Sequence, residues 1–178
     1  MKDNVQKALI ALFDRAANQL TRGTWTGAEV AGHGLTSVGS GASTITSDTL
    51  PGFFKQLFCY DHPITQELWL GRAVPRAWLA PGQRIAVEGA PTRGGRIGLT
   101  IWAGTNDTFV ANISLPKSFM WPAGGLVLRL RSPSFPTQRI KSATAGVVNA
   151  TEESVRFTKR PASLAELQNV QVTMGAVW

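Results

Sequence analysis

The chain has 178 residues, enough for one good domain or for one domain with a further piece of another. A hydrophobic fraction of 43% against 16% charged residues excludes an intrinsically disordered chain, and 18 glycines with 10 prolines suit a turn-rich β protein. Eighteen Lys and Arg against 11 Asp and Glu give a formal charge of +7, but no run of five or six like charges marks a nucleic-acid arm.

The elements follow in chain order. Val5, Leu9, Leu12, Phe13, Ala16 and Leu20 recur at three- and four-residue spacing, which predicts an amphipathic helix, with Asp3 or Asn4 as cap and Gly23 beyond its end. The segment lacks a signal-peptide cleavage pattern, and no stretch is long and apolar enough to span a membrane. Residues 22–49 hold six glycines and many Ser and Thr, and read as one long loop of the kind that often carries function. A second helix is predicted over Leu50–Tyr60, capped by Asp48 or Thr49, with Pro51 in its first turn and Phe53, Phe54, Leu57 and Phe58 on its buried face.

From Leu68 the pattern turns to strands. Leu68–Leu70 comes first, then a helical turn at Pro75–Leu79. Further strands are predicted at 83–88, 95–103, 108–115, 125–132, 137–145, 153–158 and 169–176, with a helical turn at Ser163–Leu167. The separators Pro81-Gly82, Gly94-Gly95 and Asn106-Asp107 are turn chemistry. The fold class expected is mainly β: an antiparallel β-sandwich of about seven or eight strands, preceded by two α-helices and a Gly-rich loop. The expected division is a helical segment over 1–66 and a sandwich over 67–178.

The chemistry-bearing residues are few. Cys59 is the single cysteine, so no intrachain disulfide or cysteine-based zinc site forms; it is expected as a buried thiol. His33 and His62 lack a third residue at ligand spacing, and no metal or other cofactor is expected. Gly39-Ser40-Gly41 is not a nucleophile elbow, because residue 42 is Ala, and no phosphate-binding glycine loop is present. Asn106, Asn112 and Asn149 stand in N-x-S/T sequons, which arise readily by chance. Trp69 and Trp78 are expected to pack at the junction of helical and β parts. Trp102 and Trp121 are open between core packing and an exposed platform.

Three blocks carry a resemblance: a helix followed by RGTWTGAE at Arg22–Glu29, the run ELWLGRAVPRAWLAPGQRIAVEGAPTRGGRIGLTI at Glu67–Ile101, and AGGLVLRLRSP at Ala123–Pro133 followed by RIKSATAGV. In this order they resemble the C-terminal end of bacterial six-hairpin, (α/α)6-barrel glycoside-hydrolase-like proteins. The resemblance implies the last barrel hairpin plus a trailing β-sandwich, inactive alone. It also implies partners: a carbohydrate, and the missing helical barrel or another protein chain. A six-hairpin barrel needs many more helices than the two read here. The apolar faces of Val5–Leu20 and Phe53–Phe58 are therefore expected to be partly uncovered.

Glycoside hydrolysis uses two carboxylates. The resemblance singles out Glu29 as the candidate catalytic acid, with Trp25 stacking on a sugar face and Thr24, Thr26 and His33 hydrogen bonding to hydroxyls. The bland alternative is a surface acid and a loop anchor, since no partner acid stands beside Glu29. A free-standing carbohydrate-binding module is the second reading. A nucleic-acid binder is disfavoured by the scatter of basic and aromatic residues.

Overall fold

The computed structural model describes residues 5, 7–11, 13, 30–31, 37–38, 44–104 and 107–176, with backbone only for 30–31, 37–38 and 44–50. The chain divides into two compact units, Met1–Lys55 and Gln56–Trp178.

In the first unit the described residues between 5 and 13 are helical, as the spacing predicts. Val5 is buried, whereas Phe13 is 66% exposed. Two short strands, β1 (Val30–Ala31) and β2 (Ser37–Val38), pair antiparallel. Helix α1 runs over Thr44–Phe58 and spans the division between the units. It begins six residues before the expected Leu50 and ends two before Tyr60. Asp48 and Thr49 therefore lie inside the helix and are not its caps, and Pro51 is internal. The long loop expected over 22–49 is corrected in the same way, since it contains β1, β2 and the first turns of α1. The low helix propensity of Thr and Ser amounts to tenths of a kcal/mol per residue. Propagating an existing helix adds one hydrogen bond per residue fixed, so that deficit is readily overridden.

The second unit is a β-sandwich. One sheet contains β3 (Cys59–Asp61), β4 (Leu68–Leu70), β8 (Leu126–Arg129), β10 (Val147–Asn149) and β11 (Ser154–Phe157), in the order β10-β11-β8-β4-β3. The other contains β5 (Arg84–Thr92), β6 (Gly95–Ala103), β7 (Thr108–Ser114), β9 (Gln138–Ala143) and β12 (Val170–Ala176), in the order β5-β6-β7-β12-β9. Short 3-10 turns fill Arg76–Leu79 and Leu164–Leu167, the second closed by a capping box of Ser163 and Glu166. β3 and β10 are additions to the strands read from sequence. Cys59 and Tyr60 were expected in a helix but pair with Leu70 and Trp69, so the first strand of the sandwich precedes residue 67.

All pairings in these two sheets are antiparallel except β4 with β8, which is parallel. Three strands of the other sheet intervene in sequence between β4 and β8, and that long excursion lets the chain re-enter in the same direction. Leu68, Leu70, Leu126, Leu128 and Val155 of the first sheet and Ile97, Leu99, Ile101, Ala111, Ile113 and Val172 of the second form one buried core. Each such Leu or Ile contributes about 1.5–3 kcal/mol on full burial. Cys59 is buried in this core and is not part of a disulfide. Trp78 stacks on Phe58 with ring centroids 6.4 Å apart.

Candidate functional site

The outer face of the second sheet follows from strict alternation. On β6, Ile97, Leu99, Ile101 and Ala103 turn into the core, which forces Arg96, Gly98, Thr100 and Trp102 outward. On β7, Phe109, Ala111 and Ile113 turn inward, leaving Thr108, Val110, Asn112 and Ser114 outside. Register then sets the rows. Arg84, Trp102, Val110 and Gln171 stand side by side across four strands, with Ala86, Thr100 and Asn112 in the adjoining row and Gly98 opposite Ser114 beyond it.

Trp102 is 54% exposed, an uncommon position for the largest apolar side chain. The Arg84 guanidinium lies 5.7 Å from its ring centroid, on the rim of the same row. Beside it the sheet carries a trough of about 530 Å³, lined by Glu88, Arg96, Gly98, Thr100, Asn112 and Ser114 among others. Two glycines shape it. Gly98 has no side chain to fill the floor, and a Cβ there would come within 3.3 Å of Ser114 Cβ. Gly89 takes φ +61 at a bulge between Val87 and Ala90, which turns the edge strand, and its carbonyl accepts a hydrogen bond from Arg96 Nη1 at 2.9 Å. Trp102 is four residues from Gly98, so platform and trough together span about 13 Å.

A smaller cavity of about 230 Å³ opens at one end of the sandwich, lined by Asp61, His62, Gln66, Glu67, Arg93 and Trp121 among others. Glu67 is fully engaged there. Its Oε2 accepts hydrogen bonds from Thr65 Oγ1 and Trp69 Nε1, both at 2.9 Å, and its Oε1 accepts from Arg156 Nη1 at 2.5 Å. Burial alone raises its pKa, but the bonds from Arg156, Thr65 and Trp69 and the charge of Arg156 outweigh that and hold it below the usual carboxylate value. His62 Nδ1 accepts from the backbone N–H groups of Ile64 and Thr65, which leaves the ring proton of the neutral imidazole on Nε2.

Directly before β11, Glu153 is 2% exposed and takes a bidentate bond from Arg76, at 2.7 and 2.6 Å, plus the backbone N–H of Ser132 at 2.9 Å. Arg131, 9% exposed, has a single long bond to the Val74 carbonyl at 3.4 Å, and its Nε has no partner. Burial, with the charges of Arg76 and Arg129, pulls its pKa down to about 10.

The residues singled out from sequence, Glu29, Trp25, Thr24, Thr26 and His33, lie outside the described residues. Of the two open tryptophans, Trp102 is the exposed one; the Trp121 indole N–H is buried without a partner. Sequence reading passed over Arg84 and Thr100 and noted Asn112 only as a sequon. The signal was there, since alternation over 95–103 already places Trp102 on one face with Arg96, Gly98 and Thr100. Among the described residues no group of three or more His, Cys, Asp or Glu is placed to hold a metal, and no helix is long and apolar enough to cross a membrane. The chain matches no family model, no curated protein and no solved structure.

Proposed function

We propose that the second unit is the accessory β-sandwich of a carbohydrate-active, glycoside-hydrolase-like protein, and that it contacts glycan directly through the outer face of its second sheet. The observation that carries this reading is the exposed Trp102 beside the polar trough. An indole offers a flat apolar surface that matches the C–H face of a pyranose. Next to it, Thr100 and Ser114 offer hydroxyls and Asn112 an amide, groups that both donate and accept toward sugar hydroxyls. A span of about 13 Å accommodates a short run of sugar units rather than a single ring.

The role is binding rather than bond cleavage. Of the two carboxylates at the end cavity, Asp61 accepts the Arg93 backbone N–H, and Glu67 has its pKa lowered and its Thr65, Trp69 and Arg156 partners in place, the reverse of a general acid poised to give up a proton near neutrality.

Isothermal titration of the chain with a panel of oligosaccharides tests the proposal. Binding to at least one member is expected, with Trp102→Ala weakening it by roughly tenfold or more, the scale of a lost stacking contact. Silence across the whole panel, or unchanged binding by the Trp102→Ala variant, would sink it.

A further inference from the structure

The charges on this outer face are strongly one-sided. Along the five strands, the outward positions carry Arg84 and Glu88 on β5, Arg96 on β6, and Arg139 and Lys141 on β9. β7 and β12 contribute no charged residue. The face thus presents four cations against one carboxylate. Two of the cations, Arg84 and Arg96, stand at the platform and the trough. Arg84 is at the Trp102 ring and Arg96 is exposed at the trough, while Lys141 stands on β9, three strands from Trp102, its stem filling the space that a side chain at Gly175 would take. Arg139 stands at the far edge, its guanidinium 5.6 Å from the Phe135 ring centroid.

We infer that the glycan recognised here is an acidic polysaccharide, one carrying carboxylate or sulfate groups along its chain. This rests on the proposed glycan-binding role and specifies its ligand. Each exposed ion contact is weak, and a polymer that repeats its charge every sugar engages several of them at once. A neutral glycan uses only the indole and the hydroxyl and amide groups. Single-stranded nucleic acid is also a polyanion, but it is held by several aromatic side chains stacking on successive bases, and this face exposes one.

The test is titration of the full chain with oligogalacturonate and with a chondroitin sulfate oligosaccharide, against malto- and cello-oligosaccharides of equal length and against oligo-dT. Each is measured at about 50 mM and about 500 mM NaCl, where the screening length falls severalfold. Binding to the two acidic glycans is expected to be about tenfold or more tighter than to the neutral ones at low salt, and to approach the neutral level at high salt. The Lys141→Glu variant, which leaves Trp102 and the trough lining untouched, with folding checked by circular dichroism, is expected to weaken the acidic preference and keep any neutral binding. A response to one acidic glycan alone identifies the anionic group as carboxylate or sulfate. Neutral glycans binding as tightly as acidic ones at low salt would overturn the inference while leaving the glycan role intact. Oligo-dT binding as tightly as the acidic glycans would overturn the inference, and no glycan binding at all would overturn both.

Discussion

Glu153→Ala is the sharpest test of how the sandwich is held together. The wild-type carboxylate is buried, accepts two guanidinium bonds from Arg76, and accepts the Ser132 backbone N–H. Removing it leaves the Arg76 guanidinium without its carboxylate in a region already crowded by Arg129 and Arg131. Breaking a buried pair by deleting one partner costs about 3–5 kcal/mol, mostly from the charge left behind. For a folding unit of this size that corresponds to a fall in Tm of roughly 10–20 °C. Glu153 also sits at φ +53, where an L side chain is strained, but alanine carries the same strain and does not change the comparison. Thermal unfolding followed by circular dichroism reads the shift. The paired variant Arg76→Met/Glu153→Leu is expected to be more stable than Glu153→Leu alone, since it removes the orphaned charge. A Glu153→Ala Tm within about 2 °C of wild type would refute the reasoning.

Arg131→Met is expected to be neutral or stabilising, by up to a few kcal/mol in urea unfolding, because this buried guanidinium has one long bond, an unpaired Nε and two like-charged neighbours. Glu67 has a folded-state pKa below its ordinary value of 4.5, so its ionised form stabilises the fold above that pH. As pH falls through the folded value the contribution is lost, and the gap in urea midpoint between wild type and Glu67→Gln is expected to be constant near neutrality and to shrink below about pH 4.5. Gly124→Ala places a Cβ 2.1 Å from the Thr65 carbonyl oxygen and 2.8 Å from the Glu67 nitrogen, a clash of backbone with backbone, and is expected to lower Tm by several degrees or abolish soluble expression.

The sandwich was legible from Leu68 onward because its strands alternate cleanly. Leu126 and Leu128 against Val127 and Arg129, and Val170 and Val172 against Gln171, each specify a face. The two strands missed within it lacked that signal. Cys59–Asp61 follows directly on the apolar end of α1, with no turn residue between them, so local pattern cannot separate strand from helix there. Val147–Asn149 is three residues long and pairs only with β11, so its identity depends on a partner distant in pattern rather than on its own composition. The parallel pairing of β4 with β8 was equally hidden, because sequence periodicity reports which face a side chain takes and not which way the neighbouring strand runs.

The candidate site was half legible for a related reason. Alternation put Trp102 on the outer face, but only the register brings Arg84 and Val110 beside it and Asn112 beside Thr100, and the register is set by the bulge at Glu88–Gly89 and by the turns that join β5, β6 and β7. Resemblance directed attention instead to Trp25 and Glu29, where a sugar site would sit in a helical barrel. The two ideas make different demands on the chain. A site at Trp25 and Glu29 needs a second carboxylate from elsewhere to cleave a bond, whereas the face around Trp102 needs none in order to bind. Replacing Gly98 with Val separates them physically. The strand accepts a β-branched residue, the 3.3 Å approach to Ser114 requires a shift of only tenths of an ångström, and the new side chain fills the trough floor. Gly98→Val is therefore expected to keep Tm within a few degrees of wild type while weakening glycan binding about tenfold or more. Undiminished binding by a well-folded Gly98→Val chain would move the glycan away from this face, and Trp25 and Glu29 would become the residues to substitute next.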